Sequence, residues 1–277
     1  MAGLPRQKIF EILGSLEGKV SLYAEDLDSG ETLVICPEEI HVACSLIKIP
    51  ILALLLKDGE EGKVDIEAKI QIPEERRVGG TGMICHLSEG LELSWKDIMK
   101  LMIAVSDNTA TNAIIDLLGM ERINAFFGDI GLFSTELQRK MMDLDAVKAG
   151  RNNYTTAADM GKVLKMAASG TLVSRRASET VLEIMSRQFY TNKLPAMLPA
   201  VPSYASAAEK KNPPTGMVAV ANKTGDLPKT QHDMGYFVLP GGRKYIIAML
   251  TSNLSSDQEG ISCIGKVSKA VYEALSR

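Results

Sequence analysis

Two spacings of apolar residues alternate along the chain. In KVSLYAEDLDSGETLVICPEE, Val20, Leu22 and Ala24 alternate with polar residues, Asp28-Ser29-Gly30 is turn chemistry, and Thr32 to Ile35 is β-branched. That pattern predicts a β-hairpin. From Ser45 to about Met185 apolar residues recur at i, i+3 and i+4, which predicts helices over 45–57, 94–104, 108–118, 121–127, 157–168 and 174–186. Ser94, Ser106-Asp107-Asn108 and Thr155-Thr156 stand where N-caps belong. AVANKTG, HDMGYFVLP and RKYIIAMLTS then read as strands, the last two joined through Pro240-Gly241-Gly242. The closing segment GISCIGKVSKAVYEALSR is a helix with Ile264, Val267, Val271 and Leu275 on one face. An opening helix carries Ile9, Phe10, Leu13 and Leu16 on one face.

A chain that leaves a sheet and returns to it implies a helical domain inserted into an α/β one. The expected division is 1–43 and 188–277 for the α/β part and 44–187 for an all-α insert. The stretch 193–214, with five prolines, reads as a surface connection.

Composition narrows the function classes. A 277-residue chain with 45% hydrophobic and 23% charged residues is an ordinary globular protein. A net charge of -3 without a basic cluster gives no case for nucleic acid or an acidic membrane surface. The longest apolar run, Ile49 to Leu56, contains Pro50 and is too short to span a bilayer. No signal-peptide pattern opens the sequence, so the expected compartment is the cytoplasm, or outside it if a signal was removed. Cys36, Cys44, Cys85 and Cys263 lack paired spacing, and His41, His86 and His232 are dispersed; neither a metal, a cofactor nor a required disulfide is expected. Oligomeric state is left open.

The candidate chemistry begins with Lys48, which stands among Leu46, Ile47, Ile49 and Ile51, where a lysine is rare. Ser45 lies three residues earlier, on the same helical face, near amides that can stabilise negative charge. A desolvated lysine can accept the proton that a serine must lose to become a nucleophile. Alone, S-x-x-K is a weak signal. Ser106-Asp107-Asn108 could be only an N-cap, and Lys223-Thr224-Gly225 only a strand exit. Together and in this order, S-x-x-K, S-D-N and K-T-G are the set found in class A β-lactamases and penicillin-binding proteins.

On those motifs the chain resembles the penicillin-binding protein/β-lactamase superfamily, its class A branch most closely. RRVGGTGMICHLSEGLELSWKDIMKLMIAVSDNTATN is similar to the class A segment leading into S-D-N, and HDMGYFVLPGGRKYIIAMLTSN to the hairpin after K-T-G. The resemblance implies a multi-domain α+β fold, an antiparallel sheet flanked by N- and C-terminal helices with an inserted all-α domain. It implies that Ser45 is acylated, Lys48 accepts or tunes its proton, and Ser106 protonates the leaving nitrogen. Asn108 would hold the substrate amide, and Lys223 and Thr224 the substrate carboxylate. The N–H groups of Ser45 and of Asp226, after Gly225, would form the oxyanion hole. The implied activity is hydrolysis of a β-lactam through an acyl-enzyme. The alternatives are a D-Ala-D-Ala peptidase or esterase-like relative acting on an acyl-D-Ala-type small molecule, and a β-lactam-binding protein that does not turn over.

One loop departs from the pattern. The family's R-x-E-x-E-L-N loop carries the glutamate that activates the deacylating water; here the stretch is LQRKMMDLDAVKAGRNNYTTAADM. With Arg139 and Leu144 set on the loop arginine and leucine, Met141 falls at that glutamate, Asp143 at the second acid and Asp145 at the asparagine. Tyr154 falls where the family has an aspartate that pairs with the arginine. A thioether cannot take a proton from water. Either Asp143, the first candidate, or Asp145 substitutes, or deacylation lacks its usual base and both are solvated loop carboxylates; with a shifted loop, Glu136 is next.

Overall fold

The computed structural model describes residues 3–277. Helix α1 (Arg6–Leu13) precedes the hairpin β1 (Lys19–Asp26) and β2 (Thr32–Ile35), and β3 (His41–Val42) follows. A 3₁₀ turn, Cys44–Ile47, runs into α2 (Lys48–Glu60). The helical block continues through α3 (Trp95–Ala104), α4 (Asn108–Leu118), α5 (Met120–Asp129), α6 (Leu144–Lys148), α7 (Ala157–Ser169) and α8 (Arg175–Met185). Within it lie a short ribbon, β4 (Lys69–Gln71) with β5 (Glu92–Ser94), and β6 (Tyr154–Thr155), which pairs with β3. After α9 (Ala207–Lys211) come β7 (Ala219–Leu227), β8 (Thr230–Val238), β9 (Lys244–Ser252) and α10 (Asp257–Leu275).

The main sheet has the order β2-β1-β9-β8-β7 and is antiparallel throughout. The fold is α+β, as the sequence predicts. Period two in β9 decides its layering: Tyr245, Ile247 and Met249 enter one core with Ile9, Ile264, Val267 and Val271, beneath α1 and α10. Ile246, Ala248 and Leu250 enter the other, with Met160, Val163 and Leu164 of α7 and the rest of the helical block. Both faces are covered, which is why this strand reads as a continuous apolar run. Fully burying each such side chain contributes about 1.5–3 kcal/mol. Pro50 is accommodated in the first turn of α2, where backbone N–H groups have no partner within the helix.

Two sequence expectations change here. Phe10 is exposed, because α1 ends at Leu13 and turns Ile9, not Phe10, into the core. The connection after residue 192 is not all surface: Lys193, Leu194 and Pro195 are buried against the sheet. Among the described residues no helix is long and apolar enough to cross a membrane, and no group of His, Cys, Asp and Glu could hold a metal.

Candidate active site

Ser45 is placed by its neighbours. The Ala43 N–H donates to Asn153 O at 2.8 Å, and Cys44, with φ of +48°, turns the chain from β3 into the 3₁₀ turn. Ser45 therefore sits in the turn, not on the α-helix itself, still three residues before Lys48. Side chains i and i+3 nearly eclipse in such a turn. Lys48 is fully buried.

The segment between α3 and α4 is fixed by a buried carboxylate. Asp107 caps α4 through Oδ1, which accepts from Ala110 N at 2.8 Å. Its Oδ2 accepts from Met83 N at 2.6 Å and Ile84 N at 2.8 Å, tying the loop of Gly79 to Met83 to this turn. Gly82 lies so close, at φ of +118°, that a Cβ there would meet the Asp107 carboxylate at 2.4 Å. Thr81 Oγ1 donates to Ser106 O at 2.7 Å, and Asn108 N donates to Thr81 O at 3.0 Å. Ser106 itself is held at φ of +55°, a strained conformation for a non-glycine residue that the surrounding bonds enforce.

Ser106 is the hub of the site. Its hydroxyl donates to Ser45 Oγ at 2.9 Å and accepts from Lys48 Nζ and Lys223 Nζ, each at 3.1 Å. Lys48 Nζ also donates to Ser106 O at 2.7 Å and Asn108 Oδ1 at 2.9 Å. The direct approach of Lys48 to Ser45 expected from i, i+3 spacing is thus replaced by contact through Ser106. Burial, then the like charge of Lys223, holds Lys48 well below the usual lysine range. Burial brings Lys223 down to about 7, against the opposing pull of Asp226 and Asp233. Alternation along β7 turns Ala221, Lys223 and Gly225 toward the helical block. Gly225 passes so close to the 3₁₀ turn that a Cβ would lie 2.9 Å from Cys44 Cβ.

A cleft of about 370 Å³ opens over these groups, lined by Ser45, Ser106, Asn108, Thr224 and Asp226 among others. Arg139, Met141 and Met142 form its loop-side wall, and Tyr190, Asn192 and Leu227 its rim. Asn153 stitches that loop: its Oδ1 accepts from Gln138 N at 2.9 Å and Arg139 N at 3.0 Å, and its Nδ2 donates to Arg139 O at 3.1 Å. Asn112 clamps Met141, accepting from its N at 2.8 Å and donating to its O at 3.1 Å.

The loop carboxylates lie elsewhere, which corrects the expectation for Asp143. Its side chain caps α6, accepting from Ala146 N at 2.9 Å, and it does not line the cleft. Asp145 is solvent-exposed and pairs with Lys148 at 3.0 Å; Glu136 is exposed and accepts from Gln138 Nε2 at 2.8 Å. Among the described residues, Asp226 is the one carboxylate lining the cleft. Tyr154 pairs with Val42 across β3–β6, while the Arg139 Nε donates to Asn152 Oδ1 at 2.9 Å.

Sequence reading missed Lys193. Fully buried, it donates to Gly225 O at 2.9 Å and His232 O at 3.1 Å, and its ammonium pairs with Asp226 at 2.7 Å. The adjacent Leu194 N donates to Asp233, whose carboxyl burial pushes up to about 6. Nothing local in a proline-rich connection announces a buried cation. Asn112, Asn153 and Arg139 lie in segments the sequence does bring into question, yet only their long-range bonds reveal them.

A family model described as the β-lactamase enzyme family matches residues 4–275. A β-lactamase of Bacteroides uniformis is 26% identical over 190 residues, 66% of this chain, and the chain spans 60% of that relative's length. The structure of PBP-A is 28% identical with a TM-score of 0.83, covering 98% of this chain and 95% of that one. A variant of PBP-A, equally similar, was solved as an acyl-enzyme complex with penicillin G. A β-lactamase from Sphaerobacter thermophilus, 24% identical with a TM-score of 0.84 over 97% of this chain and 95% of its own, shares the fold.

Proposed function

The chain belongs to the β-lactamase enzyme family, and from that premise we propose that it is a serine hydrolase acylated on Ser45 by a β-lactam. One observation carries the reading: a single hydroxyl, Ser106 Oγ, bonded at once to Ser45 Oγ and to two buried lysines. Burial holds Lys48 well below the usual lysine range, which brings its free amine within reach; in that form, with the Ser106 hydroxyl turned toward it, the Ser45 proton passes to Ser106 Oγ as the Ser106 proton passes to Lys48. Ser45 Oγ then attacks the lactam carbonyl carbon. As the C–N bond breaks, the Ser106 hydroxyl gives a proton to the leaving nitrogen and regains one from Lys48. The Ser45 and Asp226 N–H groups hold the oxyanion. Asn108 holds the side-chain amide, and Lys223 with Thr224 holds the ring carboxylate.

Water must then hydrolyse the Ser45 ester. Met141 supplies a thioether to the cleft wall, and Asp143 faces away. A missing general base typically costs about 10²–10⁴-fold. This favours fast acylation with slow release. The same observation, with the likeness to PBP-A, supports a second reading, an acyl-D-Ala peptidase that β-lactams trap. Intact-protein mass spectrometry after adding benzylpenicillin tests the first reading. The expected result is rapid gain of one penicillin mass, slow loss, and no adduct with Ser45→Ala; an adduct surviving in Ser45→Ala ends it. Release of D-alanine from an acyl-D-Ala-D-Ala peptide, at a rate exceeding penicillin turnover, would favour the second.

A further inference from the structure

We propose that Arg139 is a second anion-recognition point of the cleft, selecting substrates whose acyl side chain carries a carboxylate. The inference rests on the acyl-transfer reading above and deepens it. Among the described residues lining the cleft, Arg139 is the one arginine or lysine. Its backbone is pinned on both sides by Asn153, its Nε is held by Asn152, and its Nη1 donates to Lys140 O at 3.0 Å. Nη2 is left without a protein partner among the described residues, and no carboxylate forms an ion pair with the group.

The other partly buried arginines differ: the Arg77 guanidinium is taken up by the carbonyls of Ile72, Ile84, Leu87 and Ser88, and Arg243 pairs with Asp26. Asp143 acts on Arg139 only at a distance, because its carboxylate is committed to capping α6. Withdrawing a guanidinium from water without a counter-ion is unfavourable, and an oriented planar fork with an open edge is suited to a carboxylate. Cys44 and Ser45, in the nucleophile's turn, line the same cleft as Arg139. Lys223 meets the site from β7, and Arg139 lines the same cleft from the loop. A substrate anionic at both ends, a dianionic β-lactam or a peptide with a carboxylate in its acyl half, would span the two.

Benzylpenicillin and carbenicillin differ by one carboxylate on the acyl side chain and form a matched pair. Calorimetric titration of the Ser45→Ala protein measures binding without acylation. Carbenicillin should bind about tenfold tighter than benzylpenicillin, the scale of one charged hydrogen-bonded pair, and that ratio should fall to about one in Ser45→Ala with Arg139→Gln. Arg139→Lys should restore part of it. Equal affinities, or a ratio that persists after Arg139→Gln while both drugs weaken together, would overturn the proposal and leave Arg139 a loop residue. Acylation of the wild-type protein by either drug is scored separately. If neither acylates Ser45, the acyl-transfer reading fails while the titration still decides the role of Arg139.

Discussion

Ser106 Oγ stands between the Ser45 hydroxyl and two amines, so its loss should cost more than one hydrogen bond. In the proposed mechanism Ser106→Ala removes both the relay from Ser45 and the donor to the leaving nitrogen. Acylation by benzylpenicillin is expected to fall about 10²–10⁴-fold, read as the rate of adduct formation, with Ser45 still in place. Lys223 gives a pH signature. Burial lowers its value to about 7, so its charge is present below that pH and lost as pH rises through it. Acylation by substrates with a ring carboxylate should therefore decline above about pH 7, whereas the same substrate esterified at that carboxylate should show no such limb. Bound anion favours the charged lysine, so saturating substrate shifts the limb upward.

Among the elements, the loop from Gly131 to Asn153 and the edge strand β7 decide how the site works. Asp143 belongs to the first as a helix cap. Asp143→Ala should cost about 0.5–2 kcal/mol of stability in a denaturant titration, the usual range for a lost N-cap, and leave the acyl-enzyme lifetime unchanged. A longer lifetime would return Asp143 to the role of base. Met141→Glu should shorten that lifetime by placing a carboxylate on the cleft wall, with Asn112 still clamping the backbone. For β7 the critical contact is Gly225 against Cys44. Gly225→Ala would set a Cβ 2.9 Å from Cys44 Cβ, forcing the strand from the 3₁₀ turn and spreading the two halves of the proposed oxyanion hole. Slower acylation with a folded protein, checked by melting temperature, is the expected outcome.

For the molecule as a whole, two cores on opposite faces of one sheet carry the stability, and the four cysteines are free thiols. Neither a reductant nor a chelator should therefore move Tm; a clear fall with either would contradict this account. The residues that a sequence reveals here are those whose chemistry is local. The strands and most of the helices follow from periods of two and 3.6, the turns and caps from Ser, Asp and Gly at element ends. Ser45, Lys48, Ser106, Asn108 and Lys223-Thr224-Gly225 stand out through short motifs of that kind. Other placements depended on chain paths between distant segments, where no periodicity acts. Lys193 became a buried support because its loop folds back on β7 and β8, far from it in sequence. Asp143 was lost to the cleft because the backbone of α6 offered its carboxylate unpaired N–H groups nearer at hand. Arg139 came to face the cleft because Asn152 and Asn153 fix the loop on which it rides. The spacing of residues settled which groups could react; long-range hydrogen bonding settled which of them meet.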